Sequence, residues 1–184
     1  MKNVLIVSGH TDLSNSVVNK TILEVLGKEM PHAEIDLLES LYPDYKIDVE
    51  DEQDKLRKAD VIILQYPIFW YSMPSLIEKW MEDTFLYGFS HGIDGDKLKN
   101  KKLIVSFTTG AIKESYTKEN YGFEIEDLLL SIKATCHLCE IEFAGYIYTC
   151  GVSYRKRTNP DDIKLLEDKA KQHVDRVMQM LISL

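Results

Sequence analysis

Val61-Ile62-Ile63-Leu64 leads directly into Gln65-Tyr66-Pro67-Ile68-Phe69-Trp70-Tyr71-Ser72-Met73-Pro74, and this segment is the most informative part of the sequence. A short apolar run that ends at a proline-containing segment is typical of a strand buried on both faces. The ten residues after the run contain four aromatic side chains and two prolines. Ligands of open parallel sheets bind beyond the carboxyl ends of the strands. A stiff aromatic loop at such an end predicts either a cradle for a flat ring or ordinary packing of aromatics, and this segment alone leaves both open.

Outward from this strand, apolar runs alternate with amphipathic segments along the chain. The predicted strands are residues 4–7, 33–38, 60–64, 102–107 and 141–149, and the predicted helices are residues 15–30, 49–58, 75–85, 123–134 and 160–184. Strands separated by helices of this length form βαβ units and a parallel sheet. We therefore expect a single domain over residues 1–184, an α/β three-layer sandwich with helices on both faces and the flavodoxin-like strand order 2-1-3-4-5.

The loop after the first strand is rich in hydroxyl and amide side chains. It reads Ser8-Gly9-His10-Thr11-Asp12-Leu13-Ser14-Asn15-Ser16-Val17-Val18-Asn19, without the G-x-x-x-x-G-K motif of triphosphate binding or the dinucleotide motif G-x-G-x-x-G. Ser14, Asn15 or Ser16 is expected to cap the helix that follows. A second interpretation is that free N–H groups and the Ser16 hydroxyl hold a monophosphate, with His10 as a further donor.

The loop after the fourth strand is Thr108-Thr109-Gly110-Ala111. Gly110 permits a close approach of the backbone to a ligand, and threonine hydroxyls suit the polar edge of a flavin ring. In the predicted strand order, the loops after strands one, three and four meet at one crevice. The combination of a phosphate-type loop, an aromatic loop and a Thr-Thr-Gly loop favours a cofactor site there.

Composition excludes several other classes of protein. A chain of 184 residues that is 45% hydrophobic and 28% charged is an ordinary globular sequence. The net charge of −8 argues against a nucleic-acid partner, because its phosphates would be repelled. No run approaches 18 apolar residues, and the apolar start is too short for a signal peptide, so we expect a cytoplasmic protein. Three cysteines do not make a disulfide framework.

Two further motifs have an ordinary and a functional interpretation. Cys136-His137-Leu138-Cys139 has C-x-x-C spacing, but it lies at the end of a predicted helix and lacks a second Cys/His pair at metal spacing. Packing beside the fifth strand is the favoured interpretation. Arg155-Lys156-Arg157 is either a solvated loop, which is favoured, or a contact for the 2′-phosphate of NADP.

Several motifs occur together in one order along the chain. They are His10 with Ser16 and Asn19, then Leu41-Tyr42-Pro43-Asp44-Tyr45, Glu52-Gln53, the segment 65–74, Gly88-Phe89-Ser90-His91-Gly92 and Thr108-Thr109-Gly110. The set resembles the flavodoxin-like NAD(P)H:quinone oxidoreductases, most closely the small bacterial flavoproteins of the potassium-efflux-ancillary and general-stress type. The resemblance covers nearly the whole chain.

The resemblance implies a flavin, with FMN favoured and FAD left open. It implies NAD(P)H as electron donor and a quinone-like acceptor that uses the same pocket in turn. It also implies three groups of cofactor-binding residues. The phosphate and ribityl group is His10, Ser16, Val17, Val18 and Asn19; the group flanking the ring is Pro67, Ile68, Phe69, Trp70 and Tyr71; the group at the polar edge is Thr108, Thr109, Gly110 and Ala111.

Tyr116 falls where the family has a tyrosine over the flavin, which implies a catalytic role in settling charge after hydride transfer. The sequence departs from the family pattern at Ala111, where a second glycine is usual, and at Tyr121 and Gly122, where the histidine partner of that tyrosine is missing. The absence puts a Tyr–His proton relay in doubt.

The family forms homodimers, so the resemblance implies that Tyr87, Phe89 and His91 reach the pocket of the partner subunit. A plain helix end stopped by Gly88 is the alternative. Two other functions stay open: a regulatory flavoprotein that docks on a potassium-efflux antiporter at the inner face of the membrane, and a flavodoxin-type electron carrier. The first loop differs from the T-x-T-G-x-T pattern of such carriers.

Overall fold

The computed structural model describes residues 2–184, so Met1 of the predicted domain lies outside the described residues. One parallel sheet is built from five strands, in the order β2-β1-β3-β4-β5. They are β1 (Val4–Ser8), β2 (Glu34–Leu37), β3 (Val61–Pro67), β4 (Lys102–Thr108) and β5 (Glu142–Thr149). The predicted fold class and strand order are therefore confirmed. All seven residues of β3 are buried, which is the pattern of a strand covered on both faces.

Helices cover both faces of the sheet. On one face lie α1 (Val17–Glu29) and α6 (Pro160–Ser183), and on the other lie α2 (Leu38–Leu41), α3 (Val49–Lys58), α4 (Ser75–Thr84) and α5 (Leu130–Leu138). Each face has its own apolar core. Because every strand runs in the same direction, the loops after β1, β3 and β4 leave from one edge of the sheet.

The predicted boundaries were wrong where capping decides them. α1 begins at Val17 rather than Asn15, since Ser16 is the cap and residues Leu13–Asn15 form a 3-10 turn. The predicted helix at residues 123–134 is a 3-10 segment, Ile125–Leu129, followed by α5, and Glu124 and Asp127 form a capping box at its start. α2 was not predicted, because four residues are too few to show a helical period.

The highly charged helix α3 contains a buried carboxylate. Glu52 is fully buried and accepts hydrogen bonds from Tyr42 Oη at 2.7 Å, Trp80 Nε1 at 2.7 Å and Lys55 Nζ at 2.8 Å. Lys55 also donates to Asp36 at 3.1 Å, so one ammonium group bridges two buried carboxylates. The network fixes α2, α3 and α4 to one another behind the sheet edge that carries the loops.

None of the helices within residues 2–184 combines the length and the apolar character that a membrane crossing requires.

Candidate functional site

The N-terminus of α1 opens onto the crevice beyond β1. Ser16 Oγ accepts the backbone N–H of Asn19 at 3.2 Å, which confirms Ser16 among the three possible caps. The N–H groups of Val17 and Val18 belong to the first turn, where a helix offers them no acceptor. The loop before the helix is held by Asp12, whose carboxylate accepts from both Ser14 and the Asn15 amide. A helix N-terminus presented in this way is suited to an anion.

His10 stands in the same loop with its ring fixed on two sides. Its Nδ1 accepts the N–H of Asp12 at 3.0 Å, so Nε2 carries the proton of the neutral ring. The imidazole meets the Phe69 ring edge to face, with centroids 5.8 Å apart. Burial lowers the pKa of His10, and this effect outweighs the negative charges of Glu39 and Asp12, which raise it. His10 is therefore a neutral hydrogen-bond donor at the site.

The aromatic loop after β3 is a tight hairpin turn. Phe69 and Ser72 exchange backbone hydrogen bonds of 3.1 and 3.0 Å. Trp70 has φ 49° and Tyr71 has φ 65°, so both central residues are left-handed, as in a type I′ turn. Such turns normally contain Asn and Gly, and bulky residues there are genuine outliers, each strained by about 1–3 kcal/mol. Strain of this kind clusters at functional sites.

The turn directs its two central side chains outward. Trp70 is 94% exposed and Tyr71 is 52% exposed. Tyr71 packs edge to face on Phe123, with centroids 5.5 Å apart, and on Tyr121. Trp70 therefore stands on the rim of the crevice, beyond its wall.

Tyr116 lies beneath this aromatic group. Its ring packs edge to face against Tyr121 at 5.5 Å, and it is only 6% exposed. Burial raises the pKa of the Tyr116 phenol, which keeps the hydroxyl neutral at physiological pH. Tyr121, which stands in the sequence where the family pattern has a histidine, thus packs directly on Tyr116.

The Thr108–Ala111 loop divides between the crevice and the core. Thr108 and Gly110 face the crevice. Thr109 is 2% exposed, and its hydroxyl donates to the carbonyl of Ala111 at 2.9 Å. Its N–H donates to Thr149 of β5. A Cβ atom added to Gly110 would lie 4.0 Å from its nearest neighbour, the Cα of Ser153. Crowding by the protein therefore does not require a glycine at this position.

The three loops enclose a cavity of about 430 Å³. Most of the predicted cofactor-binding residues line it: His10, Ser16, Val17, Val18, Asn19, Pro67, Ile68, Phe69, Thr108 and Gly110. Four do not. Trp70 and Tyr71 are carried to the rim by the type I′ turn. Thr109 is buried, and its hydroxyl donates to the carbonyl of the half-buried Ala111. The predicted catalytic Tyr116 lies outside the cavity lining as well.

A basic side chain that was assigned to a solvated loop lines the cavity. Arg157 donates from Nη1 to the carbonyl of Asn15 at 3.2 Å, and its guanidinium lies 5.7 Å from the centroid of the Tyr154 ring. The loop between β5 and α6 therefore closes over the N-terminus of α1 and adds a cation beside it, together with Val152, Ser153 and Tyr154. The basic motif Arg155-Lys156-Arg157 drew attention to this residue in the sequence. Its place at the cavity was not predictable, because its partner Asn15 is 142 positions away along the chain.

The segment after α4 places only part of the predicted substrate group at the surface. Tyr87 is 66% exposed and packs against His91, whose Nδ1 lies 2.9 Å from Ser90 Oγ. Phe89 is 5% exposed and lies under the Arg57 guanidinium, 5.1 Å from it, in the core of its own chain. Because Phe89 is buried in its own chain, the structure does not support the predicted contact of this side chain with a neighbouring subunit.

The C-x-x-C motif lies away from the cavity. Cys136 and Cys139 are both buried at the C-terminal end of α5. Burial raises the pKa of Cys136 to about 11, and Cys139 is shifted in the same direction. Thiols in this environment are poor nucleophiles.

The chain belongs to the family with the flavodoxin-like fold, whose family model matches residues 2–174. One relative is YdeQ of Bacillus subtilis, named as an uncharacterized NAD(P)H oxidoreductase. It is 36% identical over 139 residues, 75% of this chain and 70% of the relative. The potassium-efflux ancillary protein KefF of Enterobacter sp. is 33% identical over 141 residues, 76% of this chain and 78% of the relative. Among solved structures, general stress protein 14 of Treponema denticola in complex with FMN has a TM-score of 0.86 at 23% identity, covering 97% of this chain and 99% of that one, and shows the fold.

Proposed function

We propose that the chain is an FMN-dependent NAD(P)H oxidoreductase that reduces quinone-like acceptors in two-electron steps. The observation that carries the proposal is the cavity of about 430 Å³, which has a helix N-terminus on one side and an aromatic turn on another. The relative named as an NAD(P)H oxidoreductase supports the same class of reaction.

The phosphate of the cofactor fits the end of the cavity at α1. Four kinds of donor converge there: the N–H groups of Val17 and Val18, the Ser16 hydroxyl, the neutral His10 ring and the Arg157 guanidinium. Charge-assisted hydrogen bonds from such groups suit a phosphate dianion. The arrangement needs no net positive charge on the protein, which explains how a chain of charge −8 could hold an anion.

The ring of the cofactor fits the end at β3 and β4. Pro67 and Ile68 supply backbone, Phe69 supplies an aromatic wall, and Gly110 leaves space. We place Trp70 and Tyr71 as a cover over the outer face of the ring, held open by the strained turn. The bound flavin supplies hydride acceptance and donation, while the protein orients it and tunes its electronics.

We assign Tyr116 the role of a neutral hydroxyl donor near the polar edge of the ring. Its raised pKa keeps the proton on Oη. The side chain is covered by Tyr121, so a shift of Tyr121 on cofactor binding is part of this assignment. Replacing Tyr116 with Phe is expected to lower turnover without abolishing it, because the protein contributes orientation rather than a nucleophile.

We further propose a homodimer in which Tyr87 and His91 border the partner's pocket, and a cytoplasmic location. A second function, docking on a potassium-efflux system, is favoured by the similarity to potassium-efflux ancillary proteins, such as the 33% identity to KefF. Binding of the purified chain to the cytoplasmic domain of such an antiporter tests it.

Steady-state oxidation of NADPH and NADH with menadione tests the proposed reaction. Donor and acceptor that share one pocket in turn give parallel lines in double-reciprocal plots. Intersecting lines would contradict the shared pocket, and the absence of NAD(P)H oxidation by the FMN-loaded chain would refute the enzyme.

A further inference from the structure

A chain of hydrogen-bonded polar side chains crosses the interior from α6 to the cavity. Three of its members are completely buried: His173, Ser106 and Gln65. In order, its members are Arg176, Thr149, His173, Ser106, Gln65 and Asn19, and it ends on Ser16 and Thr108. A buried polar network of this length is costly unless each of its groups is satisfied. We refer to this set of side chains as the polar relay.

The outer half of the polar relay has a defined donor direction. Arg176 Nη2 donates to Thr149 Oγ1 at 2.8 Å, and a guanidinium can only donate. The hydrogen of Thr149 is then directed to His173 Nδ1, 2.8 Å away, which is the other partner of this hydroxyl within residues 2–184. The His173 proton therefore sits on Nε2, which donates to Ser106 Oγ at 2.6 Å. Burial, with Arg176 as a second cause, lowers the pKa of His173 to about 3, so the ring is neutral.

The inner half continues in the same direction. Ser106 donates to Gln65 Oε1, and Gln65 Nε2 donates to Asn19 Oδ1 at 2.9 Å. Asn19 Nδ2 then faces both Ser16 Oγ at 3.2 Å and Thr108 Oγ1 at 3.1 Å. The competing contact, from Thr108 Oγ1 to Asn19 Oδ1, is longer at 3.4 Å. Both hydroxyls act as acceptors inside the protein, which leaves their hydrogens for the cavity that they line.

Electrostatics favours this direction over its reverse. Each side chain of the polar relay between Arg176 and the cavity directs its acceptor atom toward the Arg176 cation and its donor hydrogen toward the cavity. In the reverse direction His173 would donate from Nδ1 to Thr149, which would then accept twice and leave its own hydrogen without an acceptor. Ser16 and Thr108 would both donate to Asn19, and no hydrogen would reach the cavity. A cation at one end and an anion at the other stabilise the aligned chain cooperatively.

We propose that His173 and Arg176 are positioning residues of the cofactor site, which act through the polar relay to turn the Ser16 and Thr108 hydroxyl hydrogens into the cavity and so select a phosphorylated flavin over riboflavin. The inference rests on the proposed FMN site. Both residues lie outside the cavity lining. Arg176 is exposed at the protein surface, at the end of the polar relay that is farther from the cavity.

The test compares affinities for FMN and riboflavin, measured by flavin fluorescence on the full chain freed of flavin. The ratio of the two dissociation constants isolates the phosphate, whereas general destabilisation lowers both affinities together. Arg176→Met is the primary variant, because this side chain is exposed and lies at the surface end of the polar relay. Lys171→Met is the matched control, since it removes the same charge from an exposed position of the same helix. His173→Met interrupts the relay, and His173→Gln retains a donor toward Ser106.

We expect Arg176→Met and His173→Met to reduce the preference for FMN by about tenfold, or about 1.4 kcal/mol. Lys171→Met should leave the preference unchanged, and His173→Gln should restore part of it. An unchanged preference in Arg176→Met and His173→Met, with a wild type that prefers FMN, overturns the positioning role while the FMN site stands. A wild type that binds FMN and riboflavin equally overturns both.

The tautomer of His173 gives a readout independent of flavin. Long-range proton–nitrogen NMR spectra of the wild-type chain should show the proton on Nε2, and Arg176→Met should shift the equilibrium toward Nδ1. A wild-type proton on Nδ1 would overturn the direction of the polar relay.

Discussion

Replacing Trp70 separates the strain of the aromatic turn from its use in binding. Trp70→Ala keeps a side chain that disfavours the left-handed region, whereas Trp70→Asn introduces the residue that hairpin turns of this type prefer. Both variants remove the aromatic ring from the rim. Because Trp70 is 94% exposed, neither of them disturbs the core.

The expected magnitudes follow from the backbone angle and the exposure. A non-glycine residue at φ 49° costs about 1–2 kcal/mol relative to the right-handed region, and Asn relieves a large part of this cost. The buried 6% of a tryptophan side chain accounts for only about 0.4 kcal/mol of hydrophobic stabilisation. Trp70→Asn should therefore be more stable than Trp70→Ala by about 1 kcal/mol, or roughly 2–4 °C in Tm for a chain of this size.

Urea and thermal unfolding of the flavin-free proteins measure the difference in stability between the two variants. Titration with FMN measures the contribution of the Trp70 ring to cofactor binding. Loss of one aromatic contact of about 0.5–1.5 kcal/mol should weaken FMN binding by roughly two- to twelvefold in both variants. Equal stabilities of the Asn and Ala variants would refute the strain, and unaltered FMN affinity would refute the placement of Trp70 over the ring.

Three further predictions concern other parts of the site and its support. Gly9→Ala would put a Cβ 2.0 Å from Cγ1 of the buried Ile77, so it should destabilise the chain by about 1–3 kcal/mol in urea; an unchanged midpoint would contradict the close packing of this loop on α4. Burial, and then Glu52, raises the pKa of Asp36 to about 7, so the folded chain binds a proton that the unfolded chain releases between pH 4 and 7. The stability contributed by Asp36 is thus lost as pH rises through this window, by at most about 1.4 kcal/mol per pH unit. Asp36→Asn should gain stability relative to wild type over the same window. Parallel curves of unfolding free energy against pH for the two proteins would contradict the raised pKa of Asp36. Arg157→Gln should weaken the binding of FMN but not that of riboflavin. Equal losses of affinity for the two flavins would place Arg157 away from the phosphate.

The strand order and most of the cavity lining were predictable from the sequence for a physical reason. Buried parallel strands produce continuous apolar runs, and β3 is the clearest example. Once the order is known, the loops after β1, β3 and β4 must meet at one edge. His10, Ser16, Phe69 and Thr108 were placed by that geometry.

The remaining features depend on contacts that no local pattern reports. The left-handed backbone of Trp70 and Tyr71 runs against the preferences of both residues. Arg157 reaches the cavity only because the loop after β5 packs on the start of α1. The burial of Phe89 was not predictable, because the neighbouring Gly88 indicates a turn but not whether the next side chain points inward. Glu52, on a helix with many charges, is buried because Tyr42, Lys55 and Trp80 satisfy its oxygens.

We propose above that FMN binds across the edge of the sheet with its phosphate at the start of α1. The most direct test of this placement is an absorption and fluorescence titration of the flavin-free chain with FMN, followed by desalting, on the wild type and on Ser16→Glu. We predict one FMN retained per wild-type chain and loss of retention in Ser16→Glu, where a carboxylate opposes the phosphate. A wild-type chain that is colourless after desalting, or a Ser16→Glu variant with wild-type affinity, would refute this placement of FMN.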